Sequence, residues 1–279
     1  GFDLNVSKIN ELKKGFDRTN ELKKKDISAL NKNIYSSIKY LKDRNFFIVA
    51  VPTPININKS PDLTFIKSAC EIISKIIKIN DTIVFESTGY PGLVEDFCVP
   101  IIAKNSRLKY PKDFQVGYSP ERVNPGDKKR GIENIKKIIS ASDKEALRKL
   151  KFVYGSIVNA GIYVSNSIKV AEAAKVIENT QRDINIALIN ELSKIFNKLK
   201  IDTKDVLDAA STKWNFHKYM PGLVGGHCIG VDPYYLTYKA KKININPNII
   251  LAGRKINDEM SKYVFKRILF ILNKNKIKK

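Results

Sequence analysis

Residues 45–51 read NFFIVAV, residues 62–78 repeat apolar side chains at helical spacing, and residues 82–85 read TIVF. Two apolar runs of strand length on either side of a helix predict a βαβ unit with parallel strands. Residues 1–4 read as the end of an earlier strand, before a short helix at 6–14. Later strands are predicted at 114–118 and 135–139, and a helix at 143–151. The first part of the chain therefore predicts an α/β fold with a mostly parallel sheet.

The second part of the chain changes to a helical pattern. From Ser167 to Lys200 the pattern runs without Pro or Gly, which is long for a globular helix. Such a helix usually forms the spine of a helical domain or a dimer interface. Further helices are predicted at 204–210 and 249–272, with a Gly-rich segment at 221–232 between them. We expect two domains, 1–165 and 166–279, the second built on one long central helix.

The formal net charge of +22 raises the question of nucleic-acid binding. Of the 50 basic residues, 41 are Lys and nine are Arg, and the Lys residues are scattered over many segments. AT-rich coding explains this bias, and no nucleic-acid motif is present, so we expect the positive field to attract an anionic substrate or cofactor instead.

Cysteine usage and hydropathy narrow the class further. Three Cys without paired spacing argue against a disulfide framework or a metal site and favour a reducing cytoplasm. No apolar run approaches the roughly 20 residues of a membrane span. We therefore expect a cytoplasmic protein without a membrane partner and without a bound metal.

Polar residues follow three strand ends, where open α/β sheets bind their ligands. An acidic residue such as Asp3 accepts hydrogen bonds from an adenosine ribose and favours NAD; the alternative is an ordinary strand-end Asp. Pro52 fixes a tight exit after the next strand and leaves Thr53 free for a ligand. Ser87 and Thr88 offer two hydroxyls where a nicotinamide would lie, although a simple turn has the same composition.

Two further segments carry charged residues on a backbone whose conformation is restricted, one by prolines and one by a helix. The loop at 119–127, SPERVNPGD, holds Glu121 and Arg122 between prolines and indicates a site; the alternative is a surface turn with an ion pair. On the long helix Lys175, Asn179 and Arg182 stand at i, i+4 and i+7 and share one face. That face could polarise or protonate a substrate oxygen, or could be a solvated stripe.

The segment GGHCIG at 225–230 carries Cys228 among three glycines, with Asp232 four residues on. Glycines let backbone N–H groups and ligand atoms approach the sulfur closely, so Cys228 is interpreted as a nucleophile rather than an incidental small hydrophobe. Cys70 and Cys98 lie in apolar helical patterns and are interpreted as core residues. His227 is adjacent to Cys228 and is not assigned as its base, because neighbouring side chains usually point apart.

Taken together and in this order, these segments resemble the UDP-glucose/GDP-mannose dehydrogenase family, and within it the branch acting on UDP-N-acetyl-hexosamines. The similarity covers nearly the whole chain. It is carried by VPTP (51–54), ESTGYPG (86–92), SPERVNPGD (119–127), SIKVAEAAKVIENTQRDINIALINEL (167–192), TKWNFHKYMPGLVGGHCIGVDPYYL (212–236) and LAGRKINDEM (251–260).

The resemblance implies a role for each matching residue. Cys228 would be the thiol nucleophile, Lys175 and Asn179 would hold the reacting C6 oxygen, and Asp232 would assist near the thiol and water. Glu121 would serve the hydrolytic step or position its water. The NAD site would comprise Asp3, Lys8, Pro52, Thr53, Ser87 and Thr88. The substrate site would comprise Glu121, Arg122, Lys175, Asn179, Arg182, Tyr219, Gly225 and Arg254.

The resemblance also implies a Rossmann-like domain, NAD as the cofactor, a UDP-sugar substrate and a homodimer formed through the long helix. Members of the family begin with a strand and a G-x-G-x-x-G turn and end with a second α/β domain that holds UDP. Neither is found in this sequence. We therefore expect residues 1–165 to be an incomplete Rossmann-like domain, 166–279 to be the central dimerisation domain, and the chain to be a weak or inactive piece of a longer enzyme.

The activity implied is NAD-dependent oxidation of a sugar C6 alcohol to the uronate through a Cys228 thiohemiacetal and thioester, for surface polysaccharide synthesis. Two alternatives remain at this stage. A single-step β-hydroxyacid dehydrogenase also places Lys and Asn four residues apart on a helix, but it needs no nucleophilic Cys. A non-catalytic fragment of the parent enzyme is the other.

Overall fold

The computed structural model of the chain describes residues 1–20, 22, 24–30, 33–124, 127, 130–226 and 228–275. Within them the strands are β1 (Phe46–Val49), β2 (Thr82–Phe85), β3 (Gln115–Tyr118), β4 (Lys137–Ala141) and β5 (Ile162–Val164). The α-helices are α1 (Val6–Lys13), α2 (Lys24–Leu30), α3 (Thr64–Ser74), α4 (Val99–Ser106), α5 (Lys144–Gly155), α6 (Ile168–Leu199), α7 (Thr203–Ala210), α8 (Asp232–Lys242) and α9 (Asn248–Lys274).

The chain forms two compact units. The sheet unit comprises Gly1–Pro52, Thr64–Ser87 and Gly92–Ala171, and the helical unit comprises Thr53–Leu63, Thr88–Pro91 and Glu172–Lys279. Each unit therefore draws on distant parts of the sequence, because the segments that follow β1 and β2 belong to the helical unit.

The sheet unit is built on one five-stranded sheet with the order β1-β2-β3-β4-β5. Neighbouring strands are parallel, as the βαβ pattern predicts, except β3 and β4, which are antiparallel with Gly117 opposite Ala141. The predicted strand at residues 1–4 is reduced to a single parallel bridge between Phe2 and Tyr35. The α/β class is confirmed, and the sheet is mixed rather than wholly parallel.

The core of the sheet unit is formed by β2, β4 and α5. Val84, Ile139, Leu150 and Tyr154 pack together and are almost completely buried. Helix α5 places Leu150 and Tyr154 four residues apart on one face. Its N-cap is Asp143, whose side chain accepts a hydrogen bond from the Ala146 N–H. Gly117 on β3 lets Leu150 approach, since a Cβ there would lie 2.8 Å from Leu150 Cδ2.

The helical unit is organised by α6, which spans 32 residues and confirms the predicted long helix. One side of α6 carries buried polar groups, including Lys175, Asn179, Asp183 and Asn190. Helix α8 was not predicted, although Pro233 in its first turn is a helix-start signal. None of the described helices combines the length and apolar composition that a membrane span requires.

Candidate active site

A buried polar cluster joins α6 to the first residue of α8 in the helical unit. The Asn179 amide donates to Asp232 Oδ2 at 2.6 Å, and Lys175 Nζ lies 3.9 Å from the same oxygen. The three residues are 3–7 % exposed. Lys175 and Asn179 meet Asp232 together because residues four apart share one helix face. The cluster therefore brings an ammonium, an amide and a carboxylate together. Such groups can bind or protonate an oxygen atom of a substrate.

The charge state of Asp232 follows from its burial. Burial raises the pKa of Asp232 above its usual value, while the Lys175 charge and the Asn179 hydrogen bond oppose that shift. A carboxyl with a raised pKa exchanges a proton more readily near neutral pH than an ordinary Asp does. The cluster can therefore hold a substrate oxygen and also take up a proton.

Cys228 lies in the turn that leads into α8. Its carbonyl accepts hydrogen bonds from the Val231 and Asp232 N–H groups at 3.1 and 2.9 Å, which close a backbone turn between Cys228 and Asp232. Cys228 is exposed, whereas Cys70 and Cys98 are fully buried, in agreement with their interpretation as core residues. Gly226 has a φ of +81°, a conformation that favours glycine. His227 lies outside the described residues.

Glu121 follows β3 in the sheet unit, and both of its oxygens are engaged. Oε1 accepts from the Arg122 and Val123 N–H groups at 2.7 and 2.6 Å, and Oε2 lies 3.3 Å from Lys137 Nζ. Burial alone raises the pKa of Glu121, but the Lys137 charge and the two N–H donors outweigh it and the pKa lies below its usual value. Glu121 is therefore held as a charged acceptor.

Lys137 is a buried partner of Glu121 that sequence reasoning missed. It was counted among the scattered lysines, although it lies within the predicted strand 135–139, and its 3 % exposure distinguishes it from lysines at the surface. The sequence signal was weak: a Lys at the first position of an apolar strand, KIISA. Arg122, predicted to bind substrate, donates through Nη1 to the Lys136 carbonyl at 2.7 Å.

Asp3 and Lys8 lie together at the rim of a large cavity in the sheet unit. Lys8 Nζ donates to Asp3 Oδ2 at 3.0 Å. The cavity has a volume of about 1110 Å³, and its lining also includes Tyr35 and Pro52. Ligand pockets commonly measure about 300–1,000 Å³, so there is room for a large part of a dinucleotide. These residues fit the adenosine-ribose end of NAD, and the sequence contains no G-x-G-x-x-G that would cradle its pyrophosphate.

The other predicted NAD residues differ in their burial and in their hydrogen-bond partners. Ser87 is 6 % exposed, and its hydroxyl donates to the Val51 carbonyl at 2.7 Å, which ties the ends of β1 and β2 together. Thr53 hydrogen-bonds Tyr235 within the helical unit. Thr88 is half-buried and Pro52 is exposed. The hydroxyl of Ser87 thus already has a structural partner.

Arg254 is occupied by two carboxylates of the helical unit. Its guanidinium lies 2.6 Å from Asp183 Oδ1, pairs with Asp258 one turn along α9, and is 4 % exposed. Asp258 also binds Lys59 at 2.5 Å. The geometry makes Arg254 the centre of an ion-pair network that connects α6 and α9. The remaining predicted substrate residues are more accessible: Arg182 and Tyr219 are half-buried and Gly225 is exposed.

Two family models match the chain. Residues 1–158 match the NAD binding domain of the UDP-glucose/GDP-mannose dehydrogenase family, and residues 169–259 match its central domain. The boundary between these two matches lies just before α6.

The chain is also similar to individual proteins over nearly its whole length. The chain is 54 % identical over 269 residues to Protein CapL of Staphylococcus aureus, covering 96 % of this chain and 63 % of that protein. It is 53 % identical over 270 residues to the UDP-N-acetyl-D-glucosamine 6-dehydrogenase of Salmonella typhi, covering 96 % and 64 %. Among solved structures, the UDP-D-ManNAc dehydrogenase of Pyrococcus horikoshii superposes with a TM-score of 0.88 at 28 % identity, over 100 % of this chain and 66 % of that one. The chain thus spans somewhat less than two thirds of the length of these curated relatives.

Proposed function

The chain belongs to the UDP-glucose/GDP-mannose dehydrogenase family, and on that premise we propose that the whole protein oxidises the C6 alcohol of a UDP-N-acetyl-hexosamine to the carboxylate. The relatives named above support the substrate class, since one is a UDP-N-acetyl-D-glucosamine 6-dehydrogenase and one a UDP-D-ManNAc dehydrogenase. Synthesis of a surface polysaccharide is the proposed use of the product.

The observation that carries the proposal is the buried cluster of Lys175, Asn179 and Asp232 one helical turn from the exposed thiol of Cys228. Oxidation of an alcohol to a carboxylate needs two oxidations at one carbon, and the aldehyde must be retained between them. A thiol that adds to the aldehyde retains it as a covalent adduct. In the proposal Lys175 and Asn179 hold the C6 oxygen while the adduct forms.

The cofactor of the proposed reaction is NAD⁺, which when bound supplies the hydride acceptor for both oxidations. Asp3 and Lys8 are proposed to hold its adenosine ribose, and Pro52, Thr53, Ser87 and Thr88 to line the rest of its site. For Ser87 this would require the hydroxyl to share the hydrogen bond that it donates to Val51.

In the proposed reaction, the Cys228 thiol reacts with the carbonyl group of the aldehyde. Its sulfur bonds to the aldehyde carbon, and the carbonyl oxygen becomes the hydroxyl of a thiohemiacetal beside Lys175 and Asn179. After the second oxidation the sulfur carries a thioester. Water then bonds to the acyl carbon, the C–S bond breaks with its electron pair returning to Sγ, and the uronate leaves.

A homodimer through α6 is part of the proposal. Several apolar side chains of α6 are about half exposed, namely Ile177, Leu188 and Ile195 at 54, 52 and 46 %. Exposed apolar stripes of this kind mark interaction surfaces. A cytoplasmic location stays a prediction from the sequence.

The stoichiometry of NADH tests the proposal directly. The whole protein, given UDP-N-acetyl-glucosamine and NAD⁺, should form two NADH for each sugar consumed, whereas a single-step dehydrogenase forms one. Cys228→Ser should abolish uronate formation, and the matched change Cys70→Ala should leave two NADH per sugar. Undiminished uronate production by Cys228→Ser would overturn the assignment of the nucleophile.

A further inference from the structure

A second buried charge cluster lies in the sheet unit, at the carboxyl ends of β2 and β3. Lys137 Nζ lies 3.3 Å from Glu86 Oε1 and 3.3 Å from Glu121 Oε2. Tyr154 donates to the same Glu86 oxygen at 2.7 Å. The Lys137 side chain is 4 % exposed and that of Glu86 14 %, while the Glu121 side chain is 43 % exposed. The cluster is thus closed at Tyr154 and open to solvent at Glu121.

The direction of β4 creates this cluster. Glu86 and Glu121 follow β2 and β3, which are parallel, so both carboxylates lie at one edge of the sheet. Because β4 runs antiparallel to β3, its first residue, Lys137, lies at that same edge. A parallel β4 would have placed Lys137 at the opposite edge, next to the strand beginnings.

The partners of Lys137 fix its position. Glu86 and the aromatic ring of Tyr154, whose centroid lies 5.4 Å from Lys137 Nζ, hold the ammonium from the interior. Burial, followed by the Glu86 charge, raises the pKa of Tyr154, so the phenol stays a proton donor to Glu86. With a carboxylate and an aromatic ring on its interior side, the buried ammonium donates a hydrogen bond to Glu121 Oε2 at 3.3 Å.

We propose that Lys137 is a positioning residue for thioester hydrolysis, holding Glu121 Oε2 in place and keeping that carboxylate charged so that it orients the attacking water. This rests on the proposed function and on the hydrolytic role of Glu121 that the family resemblance implies. Two backbone N–H groups bind Oε1 and Lys137 binds Oε2, so both carboxylate oxygens are held in place. The Glu121 side chain is still 43 % exposed, which leaves it accessible to water.

The hydrolytic step consumes only water and the thioester. The water oxygen bonds to the acyl carbon, the C–S bond breaks, and the electron pair returns to Cys228 Sγ. One water proton passes through the Glu121 carboxylate to solvent, and the other leaves with the product acid, which ionises. Glu121 acts here in its charged form, which the Lys137 ammonium in contact with it favours.

The first test measures Glu121 itself in the 279-residue chain. Its carboxyl ¹³C signal, identified by its loss in Glu121→Gln, is titrated in wild type, Lys137→Met and Lys137→Arg. Lys137→Met should raise the Glu121 pKa by about one unit or more, because desolvation is then opposed only by the two N–H donors. Lys137→Arg keeps the charge and should restore the low value. An unchanged Glu121 pKa in Lys137→Met would overturn the inference.

The second test measures hydrolysis in the whole protein. Acyl adduct on Cys228 is followed by mass spectrometry after rapid quenching, across the pH range. Lys137→Met should slow adduct loss about tenfold on the acid side and move the acid limb to higher pH, since a one-unit pKa change alters the charged fraction about tenfold. Lys137→Arg should restore both.

Matched variants separate positioning from a merely structural effect. In a Glu121→Gln background, adding Lys137→Met should change hydrolysis no further, whereas a structural role predicts an additional loss. If wild type forms and hydrolyses the adduct and Lys137→Met does so with the same pH profile, this inference is wrong and the proposed function stands. If wild type forms no adduct, the proposed function fails and the inference with it.

Discussion

Asn179 and Asp232 are joined by a 2.6 Å hydrogen bond between α6 and the start of α8, with exposures of only 6 and 3 %. The bond links a residue in the middle of the long helix to the turn that carries Cys228. It also satisfies a carboxylate that burial would otherwise leave with Lys175 alone, at 3.9 Å. The stability of the helical unit and the proposed chemistry therefore both involve this contact.

Replacing Asn179 by Ala should destabilise the chain. The buried Asp232 oxygen loses its close donor, and an unsatisfied buried polar group costs about 1–3 kcal/mol. The free energy of unfolding, measured in urea by circular dichroism, should fall by that amount. Asn197→Ala, on the same helix and exposed, should stay within about 0.5 kcal/mol of wild type. Equal losses at the two positions would contradict the reading of the cluster.

The stability of Asp232→Asn relative to wild type should increase as the pH rises from about 4 to about 7. Burial raises the folded pKa of Asp232 above its usual 3.8. The folded protein then holds the proton more tightly than the unfolded chain, so wild type loses stability as the pH rises through that window, and Asn does not titrate.

Asp208→Asn is the control for this pH experiment. The hydrogen bond from Lys204, followed by that from Lys218, lowers the pKa of Asp208 to about 2. Asp208 is therefore charged in both states above about pH 5, and the difference between Asp208→Asn and wild type should be constant from there to pH 7. A flat profile for Asp232→Asn would show that its pKa is not raised.

Gly117→Ala should loosen the sheet unit. The new Cβ would lie 2.8 Å from Leu150 Cδ2 and 3.1 Å from the Ser140 carbonyl, so the core must shift. Overpacking of this kind costs about 1–3 kcal/mol. Gly131→Ala, whose Cβ meets nothing within 4 Å, is the control and should not lower the urea midpoint. A tolerated Ala at 117 would mean that Leu150 moves freely.

Arg254→Met should be among the most damaging single changes. It leaves the fully buried carboxylate of Asp183 without its ion-pair partner. Removing one partner of a buried ion pair costs about 3–5 kcal/mol. The double change Arg254→Met with Asp183→Leu should recover part of the loss in urea unfolding. Arg148→Met, which breaks an exposed pair with Glu145, is the control and should leave the midpoint unchanged. A mild Arg254→Met would instead favour a role for Arg254 outside the folded core.

A thiol reagent should modify one cysteine of the folded chain. Cys228 is exposed, while Cys70 and Cys98 are fully buried. Ellman's reagent should therefore titrate one thiol rapidly in buffer and all three in denaturant. Cys228→Ser should remove the rapid phase, and a rapid phase that survives would mean that a core cysteine opens to solvent.

Much of the site could be predicted because its signals are local. Lys175 and Asn179 fall on one face of α6 by helical period alone, and the Gly-rich segment around Cys228 indicated an accessible thiol without knowledge of its neighbours. Ser87 and Arg254 show the limit of such reasoning. A hydroxyl and a guanidinium are equally suited to ligands and to internal partners, and the partners, Val51 and Asp183, lie far away in sequence.

The sequence by itself determined the α/β class, the long helix and the presence of a thiol nucleophile candidate, since these depend on periodicity and composition over a few turns or strands. Only the tertiary structure decided which charges meet. The antiparallel direction of β4 brings Lys137 to Glu86 and Glu121, and the start of α8 brings Asp232 to Asn179. Strand direction and helix docking are fixed by packing between distant segments, and residue order along the chain does not encode them locally.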